Sequence, residues 1–151
     1  MKKRIIALGL LWCLFAVMLQ AARVDTVLVR SAAMNKDVKV VYVLPDKAIG
    51  KQACPVVYLL HGYGGNARSW VQLKPELPQM ADEKGIIFVC PDGKNSWYWD
   101  SPENPAYRYE TFVTSELVKY TDGNYATIPD RKARAISGLS MGGHGALWSA
   151  I

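Results

Sequence analysis

The chain has 151 residues, of which 50% are hydrophobic and 21% charged; this fits a single globular domain and excludes a disordered polymer. Its net charge of +5 owes most to Lys2, Lys3 and Arg4, since beyond residue 22 there are 15 basic and 13 acidic residues, a balance of +2. No basic stripe remains to bind nucleic acid, and two histidines with two cysteines past the N-terminal segment are too few for a zinc cage.

Residues 1–22 begin Met–Lys–Lys–Arg, run apolar from Ile5 to Leu19 and end Gln20–Ala21–Ala22. A positive start, an apolar middle and a small-residue end describe a secretory signal peptide, which predicts a secreted or periplasmic protein. Gln20 is large for its place before the cleavage site, and the apolar run approaches spanning length. An uncleaved membrane anchor is therefore the alternative, and the only expected contact with a membrane. A lipoprotein attachment at Cys13 is disfavoured by the bulky Trp12 before it.

Residues 23–151 read as one domain. Val24–Arg30 and Val38–Leu44 are β-rich runs with Asn35–Lys36–Asp37 as the turn between them, an antiparallel pair. Lys47–Ala53 reads as loop. Pro55–Leu60 is a continuous apolar run, as in a strand buried on both faces, and leads into His61–Gly62–Tyr63–Gly64–Gly65. Pro75–Lys84 reads as a helix stopped by Gly85. Ile86–Cys90 is a second buried strand. Cys54 and Cys90, at the start of one strand and the end of the next, are too far apart for a disulfide and read as buried hydrophobes.

From Lys94 to Tyr107 runs an aromatic loop. Tyr109–Tyr120 has helical spacing, with Phe112, Val113, Leu117 and Tyr120 on one stripe. Glu110 and Glu116 read as solvated helix faces. Asp130–Lys132 is a turn, Arg134–Ser137 a third buried strand, and a helix follows from Gly142. Strands alternating with helices predict an α/β fold, a mostly parallel sheet with helices on both faces, whose site lies at the carboxyl ends of the strands.

Gly138–Leu139–Ser140–Met141–Gly142 has the form of a nucleophile elbow, with Ser140 on a sharp turn between strand and helix. Gly138 and Gly142 must be nearly free of side chain for the turn to fit, and Gly143 and Gly145 extend the close packing. The Met141 N–H falls where an acyl oxyanion would form. A second donor is expected from the loop after Leu60, at Tyr63, with Gly64 as fallback. The structural alternative for Ser140 is a buried serine in a Gly-rich packing motif. No phosphate-cradling motif competes.

His61 reads as a brace for the Gly-rich loop and His144 as a locally packed residue, rather than as the base. Trp97, Tyr98, Trp99 and Asp100 line a substrate pocket or else pack the loop on the sheet; the sequence leaves both open. In this architecture the acid and the base follow the serine. Neither is found after Ser140, so the chain is expected to be incomplete and inactive alone.

On His61–Gly62–Tyr63–Gly64–Gly65, Ser96–Trp97–Tyr98–Trp99–Asp100–Ser101–Pro102, Tyr109–Glu110–Thr111–Phe112 with Glu116–Leu117, and Gly138–Leu139–Ser140–Met141–Gly142–Gly143–His144–Gly145–Ala146–Leu147, the sequence resembles the esterase D group of α/β-hydrolases over about residues 30–151. That group includes S-formylglutathione hydrolases, feruloyl and acetylxylan esterases and mycolyltransferases. The resemblance implies an α/β-hydrolase fold, truncated as the elbow helix begins. It also implies a serine esterase of small-molecule or polysaccharide esters, without cofactor. With the signal peptide, it points to acetyl or feruloyl esters on polysaccharides. The alternatives are an acyltransferase and a non-catalytic module binding glycan through Trp97–Trp99.

Overall fold

The computed structural model describes residues 22–150. Residues 1–21 of the expected signal or anchor segment therefore lie outside the described residues. Five strands form one sheet in the order β1–β2–β4–β3–β5. β1 (Arg23–Ser31) and β2 (Lys36–Leu44) are an antiparallel hairpin whose turn is Ala32–Asn35. Lys36 and Asp37, expected in the turn, already pair with Ser31 and Arg30. The left-handed residue is Asn35, at φ 49°, a conformation asparagine tolerates better than most residues.

β3 (Val56–Leu60) and β4 (Ile87–Pro91) run parallel, and β5 (Arg134–Gly138) lies parallel to β3 on its other side. β2 meets β4 antiparallel, so the sheet is mixed, with its parallel part at the β4, β3 and β5 end. The runs Val56–Leu60 and Ile87–Pro91 are buried almost throughout, as continuous apolar strands between two helical layers should be. β5 departs from the expectation of a buried strand: its residues alternate between half-buried and exposed. Among the described residues it has a neighbour on one side only.

Helices cover both faces. α1 (Asp46–Ile49) is a single turn within the stretch expected to be loop. α2 (Ser69–Leu73) and α3 (Leu77–Lys84) follow β3. α3 ends where Gly85 takes the left-handed φ of 63° and Ile86 N–H reaches back to Ala81 O, the usual way to close a helix with glycine. Leu77 and Ala81 of α3 pack with Val41, Val43, Leu59 and Phe88 on one face of the sheet.

The other face carries α4 (Tyr109–Thr111), a π-helical stretch (Phe112–Glu116) and α5 (Leu117–Asn124) as one continuous helix, then α6 (Met141–Ala150). Phe112, Val113, Leu117 and Met141 pack there against Tyr42, Tyr58, Leu60 and Val89. Asp130 accepts the Lys132 N–H at 2.8 Å and caps a 3-10 turn, Arg131–Ala133, just before β5.

Glu116 does not face solvent alone: its carboxylate accepts from Ser31 Oγ at 2.6 Å and Ala33 N–H at 2.8 Å, tying the hairpin to the helix. Glu110 accepts from the Trp148 indole at 2.9 Å. Cys54 and Cys90 are buried free thiols. Tyr58 pairs with Val89, so the two cysteines stand five residues apart in register. At about 3.3 Å per residue that is roughly 16 Å, well beyond a disulfide.

Candidate active site

The carboxyl ends of β3, β4 and β5 share one edge of the sheet, and the residues singled out from the sequence gather there. Leu139 and Ser140 make the whole connection between β5 and α6: Leu139 N–H bonds Leu60 O at 3.1 Å, and α6 opens with Gly142 N–H to Leu139 O and His144 N–H to Ser140 O. Ser140 has φ 53°, a left-handed conformation that costs a residue bearing a Cβ about 1–2 kcal/mol. It is exposed, and its hydroxyl has no hydrogen-bond partner among the described residues. The buried-serine alternative does not fit that placement.

The glycines make the turn possible. A Cβ on Gly138 would lie 2.2 Å from the Gly142 carbonyl, and one on Gly142 would lie 2.2 Å from Leu60 O. Both obstacles are backbone, which cannot swing away. The role expected for Gly145 is different in detail. Its missing Cβ leaves room for Tyr98, whose Cβ would be 2.6 Å away.

The loop after β3 lies against the elbow, since a Cβ on Gly62 would come 3.3 Å from Leu139 O and 3.6 Å from Ser140 Cβ. Of its two nominated donors, Gly64 N–H is already taken by Asn95 Oδ1 at 2.8 Å. Tyr63 N–H and Met141 N–H have no hydrogen-bond partner among the described residues. Tyr63 as a whole is 66% exposed.

His61 is buried and fully engaged. Its Nδ1 lies 2.7 Å from Gly62 O, and its Nε2 accepts the Gly93 N–H at 2.9 Å. A carbonyl needs a donor and an amide N–H needs a lone pair, so this arrangement fits the Nδ1–H tautomer. No lone pair is left for Ser140. The ring therefore fastens the end of β3 to the end of β4.

Asp92 lies beside that ring, with Oδ1 3.6 Å from Nε2. Burial works against its charge. The Lys94 amide and ammonium, at 3.0 and 2.8 Å, outweigh burial and hold the carboxyl well below the usual carboxylate range. The sequence reading missed Asp92 and Asn95. The one available signal was their position just past a strand end on the edge that carries the site.

Two of the four nominated pocket residues turn away from solvent. Tyr98 is fully buried; its hydroxyl accepts the His61 N–H at 2.9 Å, and its ring fills the space over Gly93 and Gly145. Asp100 accepts from Thr111 N–H at 3.1 Å and Thr111 Oγ1 at 2.5 Å, so it caps α4. Both are structural. The turn that carries them is tight: Trp97 and Tyr98 both adopt left-handed φ, 58° and 59°. Trp97 and Trp99 stay on the surface, and with His144 they line a hollow of about 280 Å³. His144 Nδ1 is 3.3 Å from Trp97 O, and its ring meets the Trp97 ring edge-on and stacks over Trp148. A second hollow of about 420 Å³ opens on the other side of the elbow, between Tyr63, Leu73 and Leu139. Among the described residues no group of His, Cys, Asp and Glu is arranged to hold a metal ion.

Comparison with known proteins accounts for this geometry. Residues 31–151 match the family model for Esterase. An acetyl esterase of Caldicellulosiruptor saccharolyticus is 30% identical over 125 residues, which are 78% of this chain and 46% of the relative. The structure of an S-formylglutathione hydrolase from Agrobacterium tumefaciens superposes with a TM-score of 0.76 at 29% identity, covering 86% of this chain and 53% of that one. A ferulic acid esterase structure gives 0.71 at 30% identity, covering 83% and 53%. The chain thus spans about half the length of the relatives it matches.

Proposed function

The chain belongs to the Esterase family, and from that premise we propose that it supplies the nucleophile and the oxyanion hole of a serine esterase. Its fold is that of the α/β-hydrolase esterases it superposes on. The observation that carries the proposal is the strained, exposed Ser140 with the Met141 amide next to it and the Tyr63 amide on the adjoining loop, neither partnered among the described residues. In the reaction, Ser140 Oγ attacks the ester carbonyl carbon as a base removes the hydroxyl proton. The carbonyl π electrons move onto oxygen, and the two N–H groups stabilise that oxyanion. Removing one such donor costs about 3 kcal/mol of transition-state stabilisation. Collapse expels the alcohol, which takes up the proton, and leaves an acyl group on Ser140. Water then repeats the sequence and releases the acid.

The base is not one of the two histidines present. His61 has both ring nitrogens occupied, and His144 is held against Trp97 and Trp148. We therefore place the proton acceptor outside these 151 residues, and expect the polypeptide alone to turn over esters poorly. The N-terminal pattern supports secretion to the periplasm or beyond, and an ester of acetyl or feruloyl groups on polysaccharide as substrate. Acetyl and ferulic acid esterases among the relatives support the same substrate class.

A fluorophosphonate probe tests the reading. It should label the gene's full product at Ser140, and Ser140→Ala should abolish the labelling. The 151-residue chain should hydrolyse p-nitrophenyl acetate barely above background. Brisk turnover by that chain, lost in Ser140→Ala, would refute the placement of the base.

A further inference from the structure

The Trp97–Trp99 segment has a second side, away from His144. There Trp97, Trp99 and Tyr107 line a groove of about 260 Å³ together with Asn95, Ser101 and Asn104. None of these six side chains is charged. The three aromatic residues are 45%, 51% and 36% exposed, so ring surface remains open to a ligand.

The polar groups are preset. Asn95 Oδ1 accepts the Gly64 N–H at 2.8 Å, and Asn104 Oδ1 accepts the Ala106 N–H at 3.0 Å. Because each oxygen faces a donor, each amide nitrogen is fixed at the opposite position with its two N–H groups. Neither nitrogen has a partner among the described residues. Ser101 Oγ accepts from Asn104 N–H at 3.0 Å and Glu103 N–H at 3.3 Å, which leaves its own O–H to donate outward. Lys36 lies over the Tyr107 ring, and its ammonium is occupied by the Ala106 carbonyl at 2.5 Å and the faces of Tyr107 and Tyr109.

Open aromatic surface, neutral hydrogen-bond donors and no free charge suit one class of ligand. A sugar ring offers an apolar face of C–H bonds to an aromatic plane and hydroxyl oxygens to N–H and O–H donors. We infer that this groove binds a neutral sugar unit of a polysaccharide chain. The inference rests on the esterase reading and adds a glycan subsite to it. Asn95 joins the two: the side chain that lines the groove also holds Gly64, next to the Tyr63 amide. The subsite therefore sits one residue from the proposed oxyanion hole.

Affinity electrophoresis of the 151-residue chain in gels containing neutral β-1,4-xylan tests this without needing turnover. The protein should be retarded, and more strongly than in gels with anionic polygalacturonate. Trp99→Ala should weaken retardation about tenfold through lost stacking. Asn104→Asp keeps the acceptor for Ala106 but loses the N–H donors, and should weaken it about fivefold. No retardation by xylan, equal retardation of all three proteins, or stronger retardation by polygalacturonate overturns the subsite. Probe labelling of Ser140 without xylan retardation would overturn the subsite and spare the esterase; retardation without labelling would do the reverse.

Discussion

Three glycines within a few residues of Ser140 do different work. Gly142 faces the Leu60 carbonyl and Gly138 faces Gly142, and in both cases a methyl group would collide with backbone. Gly143 meets nothing closer than Gly138 O at 3.4 Å, an ordinary contact. The expected outcome separates them. Gly142→Ala should destabilise by about 3 kcal/mol, since neither β3 nor α6 can retreat without losing its packing. Gly143→Ala should be neutral or more stable by about 0.5 kcal/mol, because glycine inside a helix carries an entropic penalty that alanine does not. Urea denaturation of the two variants checks the contrast. Both sit in the same motif, so the sequence pattern cannot rank them.

The aromatic loop behaves as a strut between elements. Tyr98 wedges between Gly93 and Gly145 and reaches His61, while Asp100 caps the helix that carries Phe112 and Leu117. The loop thereby fixes the end of β4, the start of α6 and the start of α4 relative to one another. Asp100→Ala removes both hydrogen bonds to Thr111 and should cost about 1–2 kcal/mol, typical of losing a helix cap. Asp100→Asn keeps an acceptor oxygen and should recover part of that. Thermal unfolding followed by circular dichroism gives both values.

Across the whole molecule, three strand ends are tied at the edge bearing the site, and Asp92 is the charged part of that tie. Its carboxyl is depressed in the folded state relative to an ordinary value near 3.9. A depressed carboxyl contributes stability that is fully present above its unfolded value and lost as pH falls through the folded one. Stability should therefore be flat near neutrality from this source and decline below about pH 4. Asp92→Asn should be less stable at pH 7 and show a shallower acid decline, measured by urea midpoints at stepped pH. Among the described residues β5 has a neighbour on one side only, and Leu147 and Trp148 of α6 are exposed, the kind of surface that invites association.

Much of this protein was legible before any coordinates. The apolar runs Pro55–Leu60 and Ile86–Cys90 point to buried strands because a strand covered on both faces has no polar side to show, and the observed strands, Val56–Leu60 and Ile87–Pro91, fall within one residue of them. Gly138 and Gly142 on either side of Ser140 point to a turn too tight for flanking side chains, and a Cβ at either would meet backbone at 2.2 Å. The order of the strands, the burial of Tyr98 and the capping role of Asp100 were not legible. They depend on which backbone passes nearby, and residues 37 or more apart in the chain decide it, as with His61 and Tyr98. The sequence ranks Tyr63 before Gly64 as a donor but cannot see Asn95, which reaches in from another strand end, occupies the Gly64 amide and leaves the Tyr63 amide without a partner among the described residues. Local sterics thus determined where Ser140 stands, and long-range hydrogen bonding decided which backbone groups around it are left without a partner among the described residues.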